Sequence, residues 1–414
     1  MRIAMLTNNY KPFVGGVPIS IERLSAGLRS LGHEVYIFAP SYEGETEEPY
    51  VIRYRSRRKK MGGKIVVPDF LDQSIEEKFA VYSFDVIHVH HPMLMGYTAQ
   101  YLGKKYNIPV VFTYHTRYEQ YLHYFKPFDF LQRRCSREKH NRIRGLERKL
   151  LYGSEKLVAA HNRLFTNRCS LVLAPTLSMK QYLEEQGTTT NVEIVPTGLL
   201  EEDFEYEPGK AEQLRKQYLK GKKYLFCTVS RLGKEKNIPF LLEGLAKFKE
   251  NKGDCFRFLL IGDGNEKEEL KEEAVRLGLE DNVIFCGCIE HSVIRNYCRA
   301  CDLFLFASRS ETQGIVLLEA MAAGLPVVGV KATGTSDVVR DGWNGYLTEL
   351  DVNAWERKLE LILEKESQKE WMAENSIAEA KRYRSRNVSE KVERLYQNIL
   401  FYQRMEQGYE NRII

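Results

Sequence analysis

The stretch LFLFASRSETQGIVLLEAMAA, Leu303–Ala323, holds a strand, a loop and a helix in immediate succession. Leu303–Ala307 is an unbroken apolar run of strand length, the signature of a strand covered on both faces. Polar residues follow, and from Gly314 a second apolar run begins that reads as a helix. A buried strand followed by a loop and a helix is the repeating unit of a parallel α/β sheet.

Working outward, the same theme recurs. Tyr224–Val229, Phe256–Ile261, Val283–Phe285 and Val327–Val330 read as further strands, with a helix over Pro239–Lys249. In the first half, Arg2–Thr7, Val35–Ala39, Val86–Val89, Val110–Thr113 and Leu171–Ala174 have the same character. Ile19–Leu31 is amphipathic, with Ile21, Leu24 and Leu28 on one face and Gly32 where a C-cap glycine belongs. A chain of 414 residues suits two such domains at ~100–200 residues each. The acidic Glu201–Gly209, ending in Pro208-Gly209, reads as a linker. From Ser385 a long polar helix carries Val388, Val392, Leu395, Ile399 and Leu400 on one side. Two doubly wound α/β domains in series predict a cleft at their strand C-termini, where open sheets place ligands.

Composition narrows the class. Hydrophobic residues make up 43% and charged residues 28%, a globular balance. No apolar run reaches the ~18 residues of a membrane span. The opening residues read as a first strand and not as a signal peptide, so the expected location is the cytoplasm. The eight cysteines sit among apolar neighbours and read as reduced core thiols. Cys286-x-Cys288 and Cys298-x-x-Cys301 fall on strand-like and helix-like runs, which disfavours a zinc site, although His291 lies between them. His88, His90 and His91 lack an accompanying carboxylate cluster, so no metal is expected there either. Residues 1–200 hold 28 Lys+Arg against 19 Asp+Glu while the remainder is mildly acidic, which points to two domains with different partners.

Chemistry gathers after the strands of the second half. Arg231 and Lys236 follow Tyr224–Val229 in a loop, and two cations there suit a diphosphate. Glu311 precedes the helix near Gly314, and Glu319 lies inside its apolar run. A carboxylate in so apolar a setting needs a partner, and a ribose diol supplies two hydroxyl donors. The turn at Thr312, Gln313, Gly314 and Ile315 offers helix N-terminal N–H groups for sugar hydroxyls or phosphate. Gly262-Asp263-Gly264 is a weaker element that also reads as a plain turn.

The paired Arg-x4-Lys and Glu-x7-Glu elements resemble those of retaining glycosyltransferases of the GT-B fold, family 4, and the likeness runs over essentially the whole chain. That resemblance implies a first domain, 1–205, for the acceptor and a second, 206–384, for a nucleotide-sugar. It also implies a C-terminal helix, 385–414, packing back on the first domain. It assigns Glu319 to the ribose, Arg231 and Lys236 to the leaving diphosphate, and Glu311 to the transferred sugar. Gln313 stands where many members have an aromatic residue. The turn at Gly15-Gly16 would face the diphosphate and acceptor, and Gly262 would line the donor site. His115, at the end of Val110–Thr113, would touch the donor sugar. The implied catalytic set is His115, Glu311, Arg231 and Lys236, with no metal and no cofactor beyond the donor. Same-face attack by the acceptor is expected, with the leaving phosphate taking its proton.

His115–Tyr124 and Ser310–Gly314 also resemble bacterial diacylglycerol glucosyltransferases, which implies UDP-glucose as donor and membrane diglyceride as acceptor. Basic residues interleaved with apolar ones over 126–168, and the run Arg53–Lys60, fit an anionic membrane surface. The expectation is therefore a peripheral protein on the inner face of the cell membrane. A soluble acceptor and a non-catalytic sugar-nucleotide sensor are the alternatives. A nucleic-acid partner is disfavoured because no aromatic stacking platform accompanies the basic run.

Overall fold

The computed structural model describes residues 1–13, 15–43, 45, 47–61, 65–117 and 156–413. The chain divides into two compact units: Met1–Thr197 together with Val388–Ile414, and Gly198–Asn387. The expected boundary at 205 therefore moves. Glu201–Phe204 forms a 3-10 turn and Pro208 opens the helix Pro208–Leu219, so the acidic stretch read as a linker is folded with the second unit.

The first unit is built on seven parallel strands: β1 (Arg2–Leu6), β2 (Glu34–Pro40), β3 (Val51–Tyr54), and then, beyond a hairpin of β4 (Ser56–Met61) and β5 (Ile65–Pro68), β6 (Val86–Val89), β7 (Val110–Thr113), β8 (Leu171–Ala174) and β9 (Val192–Ile194). Their order is β3-β2-β1-β6-β7-β8-β9. The chain winds outward from β1 to β3, then returns to the other side of β1, so the switch point lies between β1 and β6. The period of two along the strands sorts side chains into two cores. Ala4, Leu6, Phe38, Ile87, Val89 and Phe112 face one way, against Phe79, Leu102, Phe165 and Met179. Ile3, Met5, Val35, Ile37, Val86 and Val111 face the other. There they meet Ile21 and Leu28 of the helix Gly16–Ser30, and Val388, Val392 and Tyr396 of the helix Ser385–Ile413. The apolar side of the last helix is thus buried on the first sheet.

The second unit repeats the plan with β10 (Tyr224–Val229), β11 (Phe256–Ile261), β12 (Val283–Gly287), β13 (Leu303–Phe306), β14 (Val327–Val330) and β15 (Gly345–Thr348). All pairings are parallel, in the order β12-β11-β10-β13-β14-β15, with the switch point between β10 and β13. Phe226, Phe258 and Leu305 pack on Leu241, Leu245, Trp355 and Leu359. On the opposite face Cys227, Leu259 and Phe304 meet Leu317, Leu318, Met321 and Cys298. Cys227, Cys298 and Cys301 are buried in that apolar layer, as core thiols would be. Among the described residues no helix is long and apolar enough to cross a membrane.

Candidate active site

In the second unit β10 and β13 lie side by side, so their C-terminal loops emerge together at the switch point. The loop after β10 makes a 3-10 turn over Lys234–Lys236 and starts the helix Ile238–Lys252. Lys236 Nζ donates to Glu311 Oε1 of the loop after β13, and both side chains are largely shielded, at 18% and 15% exposure. Two residues 75 apart in sequence are joined because their parent strands are neighbours. Arg231 does not share that carboxylate. Its Nη2 donates at 2.6 Å to Oε1 of Glu235, whose side chain is buried while the guanidinium is half exposed.

Glu235 escaped the sequence reading, and it braces both loops. Its backbone carbonyl accepts from Arg309 N at 3.1 Å and from Ser308 Oγ at 3.3 Å. Burial opposes ionisation of Glu235, but the Arg231 guanidinium, a backbone N–H and Lys236 outweigh it and hold the carboxyl below its ordinary range. Its spacing of four from Arg231 was the available signal, hidden in a loop that reads as uniformly charged.

Glu319 lies on the helix Ile315–Ala322, as expected, at 14% exposure. Its Oε1 lies 2.9 Å from Nε2 of His291, at the start of the helix His291–Ala300. His291, noticed in the sequence only for its cysteine neighbours, is the partner that the buried-carboxylate argument required. Gly314 precedes this helix in a left-handed conformation, φ 74°, and its carbonyl accepts from Leu317 N at 2.9 Å. Gln313 is buried, and Thr312 and Ile315 are half-buried. Gly262 has a close-approach role: a Cβ there would sit 1.9 Å from the Ser230 carbonyl oxygen, so the turn after β11 lies flat against the loop after β10. Gly334, also missed, lies against Glu311 in the same way. Its φ is +79° and a Cβ would come within 2.8 Å of the Glu311 carbonyl.

In the first unit Gly15 precedes the helix Gly16–Ser30, which starts three residues before the expected Ile19, and accepts from Ile19 N at 3.3 Å. Asn8 ties the loops after β1 and β6. Its N–H donates to His91 Nδ1 at 3.1 Å, its Nδ2 to Met93 O at 3.1 Å, and its Oδ1 accepts from Met95 N at 3.1 Å. His115 follows β7, two residues past Thr113. Its Nε2 lies 2.9 Å from His90 Nδ1. His88 stacks on His90 at 4.4 Å between ring centres and bonds Thr113 Oγ1 and the Tyr396 hydroxyl, each at 2.6 Å. Burial drives His88, His91 and His115 down to about 3 and pushes His90 the same way. These imidazoles are neutral in the working range; His88 bonds two hydroxyls, His90 and His115 meet each other, and His91 accepts from the Asn8 backbone.

The basic segments are only partly described. Arg53 is drawn inward: it donates to the carbonyls of Lys11 at 3.0 Å and Pro40 at 3.1 Å and pairs with Glu45 and Glu48. Tyr54 is buried and donates to Thr7 O at 2.7 Å. Arg53 and Tyr54, at the start of the basic run, are thus held by the fold, while Arg55 is exposed. Within 126–168, residues 126–155 lie outside the described set. The helix over 156–166 buries Asn162, Phe165 and Thr166 and exposes Leu157 and Leu164.

Residues 14–201 match the family described as "Glycosyltransferase Family 4", and residues 210–379 match "Glycosyl transferases group 1". The alpha-monoglucosyldiacylglycerol synthase of Acholeplasma laidlawii is 29% identical over 83% of this chain and 84% of its own length. The enzyme of that name from Streptococcus pneumoniae is 29% identical over 84% of this chain and 75% of its own. Among solved structures, Anabaena Alr3699/HepE in complex with UDP and glucose superposes with a TM-score of 0.72 at 20% identity, covering 96% of this chain and 100% of that one. With the two doubly wound sheets and the paired loops of the second unit, these matches place the chain among the glycosyltransferases of family 4, with the GT-B fold.

Proposed function

We propose that this glycosyltransferase moves glucose from UDP-glucose to the free hydroxyl of membrane diacylglycerol, with retention of anomeric configuration and without a metal ion. The observation that carries the donor half is the Lys236–Glu311 junction at the switch point between β10 and β13, with Arg231 and Glu319 on the flanking elements. Arg231 and Lys236 stabilise the departing diphosphate, the charge that develops most in the transition state. Glu319 takes the ribose hydroxyls, Glu311 and His115 take hydroxyls of the transferred sugar, and Gln313 helps select it. The bond from C1 to the diphosphate oxygen breaks, the acceptor oxygen bonds C1 from the same face, and the acceptor proton passes to the diphosphate.

Support for the lipid acceptor comes from the names of the relatives and from the basic, apolar-interleaved stretch 126–168. On this reading the protein sits peripherally on the cytoplasmic face of the membrane. The test offers UDP-glucose, UDP-galactose and GDP-mannose to vesicles containing diacylglycerol and anionic lipid, and in parallel to soluble acceptors. Nucleotide release and the product's anomeric configuration are read out. The expected result is an α-glucosyl lipid from UDP-glucose. A β-linked product would overturn retention, transfer only to soluble acceptors would overturn the lipid assignment, and donor binding without release would mark a sensor.

A further inference from the structure

We propose that His291 is a positioning residue for the nucleotide: it aims the Glu319 carboxylate at the hydroxyls of a ribose, and so lets the site tell a ribonucleotide from a deoxyribonucleotide. The proposal rests on the reading that Glu319 takes the ribose.

The pair follows from the topology of the second unit. β12 is the edge strand and β13 lies beyond β11 and β10, so the helix His291–Ala300 that joins them crosses one face of the sheet. The helix Ile315–Ala322, which follows β13, lies on the same face: Cys298 and Ala300 share an apolar layer with Leu317, Leu318 and Met321. Helices that connect parallel strands run back against them, so both begin at the C-terminal edge of the sheet. The loops that carry Arg231, Lys236 and Glu311 emerge at that same edge. His291 is the first residue of its helix, and Glu319 is the fifth of the other, about one turn in. They meet there, Nε2 to Oε1, at 2.9 Å.

The two helices are also tied at their far ends. Arg299 Nη1 donates at 3.1 Å to the carbonyl of Ala323, which closes Ile315–Ala322. The helix of His291 is anchored on its other side by buried Asn296, whose Oδ1 accepts from Glu207 N at 2.9 Å. His291 therefore stands on a fixed support. A carboxylate only accepts, so the imidazole donates from Nε2. The terminal torsion of a Glu side chain is broad, and a donor held by a second helix narrows it. Two carboxylate oxygens offer about four acceptor sites, of which the imidazole takes one and a diol would take two. Orientation by His291 thus works with ribose capture and not against it.

The test measures binding of UDP and 2′-deoxy-UDP to the full-length protein by calorimetry, with GDP and 2′-deoxy-GDP in parallel, and donor kinetics with UDP-glucose. Wild type should prefer the ribonucleotide by at least about tenfold, the effect of a lost hydrogen bond to a charged group. Glu319→Ala should abolish that preference. His291→Ala should weaken ribonucleotide binding about tenfold, leave deoxyribonucleotide binding nearly unchanged and reduce the preference to about twofold. His291→Gln keeps an N–H at the ε position and should restore most of it. With UDP-glucose, His291→Ala should raise donor KM about tenfold while kcat changes less than about threefold, because the ribose is held alike before and during transfer. The imidazole is the exposed partner, at 44% against 14% for Glu319, so its removal should leave the melting temperature close to wild type. Ser292→Ala removes a hydroxyl that donates to Glu290 at 2.6 Å, disturbs the same helix start and should leave the preference intact. If Glu319→Ala loses the preference while His291→Ala keeps it, or if His291→Gln is as impaired as His291→Ala, the proposal is overturned. If Glu319→Ala keeps the preference, or wild type binds none of the four nucleotides, it is the reading of Glu319 as the ribose residue that fails.

Discussion

The Lys236–Glu311 pair can be weighed against an internal control. At an effective dielectric near 20, two unit charges about 4 Å apart attract by about 4 kcal/mol, and part of that is spent on desolvating both groups. Each partner here keeps less than a fifth of its surface exposed, so solvent screening is limited. Removing one partner strands the other in a partly buried setting. Lys236→Ala should therefore destabilise the second unit by about 2 kcal/mol, between the exposed-pair and the fully buried-pair ranges. For a unit of this size that lowers its melting temperature by roughly 4–8 °C. Glu311→Ala should behave alike. The double variant should be less damaged than the sum of the singles, with a coupling of about 1–2 kcal/mol. Lys331–Glu349 is an ion pair at 3.0 Å whose partners are 51% and 77% exposed, so Lys331→Ala should shift melting by less than about 1 °C. Thermal and urea unfolding of the four variants measure this directly. If Lys236→Ala melts like Lys331→Ala, or if the singles add, the pair does not organise the switch point. Turnover provides an independent reading: loss of a cation that stabilises the departing diphosphate should lower kcat by roughly 10²- to 10³-fold.

Three further outcomes are expected. His88, His90 and His91 have folded-state pKa values below the ordinary 6.5, so the neutral ring is the one that the fold accommodates. Their contribution is complete above pH 6.5 and is lost as pH falls from there, toward about 3 for His88 and His91. At pH 5.5 each fully buried ring withholds about 1.4 kcal/mol, so the first unit should melt markedly lower at pH 5.5 than at pH 7.5, as calorimetry would show. Glu235→Gln keeps an acceptor for Arg231 but removes the charge, and should raise donor KM several-fold while kcat changes less. Because the Glu235 carboxyl titrates below its ordinary range, its support is present above that range and fades as pH falls through the folded value, so the variant should match wild type more closely in acid. Gly334→Ala places a Cβ against Glu311 in a backbone conformation that alanine resists, and should lower turnover more than a surface substitution of equal size, measured beside the melting temperature.

The fold was legible because the strands of both sheets are covered on both faces. β1, β6, β7, β8 and β13 appear in the sequence as short apolar runs, and those runs are what a buried parallel strand needs. The boundary was less legible. Glu201–Gly209 has the composition of a linker, yet the chain leaves the first unit at Thr197. What marks that place is packing: a Cβ on Gly198 would fall 2.5 Å from Ser385 Cα, and Leu199 exchanges backbone hydrogen bonds with Tyr383 and Ser385 at 2.7 Å each. No local composition announces a contact between segments almost two hundred residues apart.

The same limit governs the site. Arg231, Lys236 and Glu311 could be named because they follow strands and carry charge, and Glu319 because it is a carboxylate inside an apolar helix. Their partners could not, because partnership depends on which strand ends are neighbours. The structure pairs both of these cations with carboxylates, Arg231 with Glu235 and Lys236 with Glu311. Two bare cations this close would repel each other and wander. Held by carboxylates, they keep a fixed direction, and a diphosphate arriving there competes for N–H donors that are already oriented. Donor affinity should then depend on how readily each carboxylate yields its cation: Glu235, buried and ionised, grips Arg231 from beneath, whereas Glu311 sits on a loop that the donor sugar itself would engage. On the proposed donor-site reading, Lys236 would then be the cation that changes partners when the donor binds, and Arg231 the one that stays.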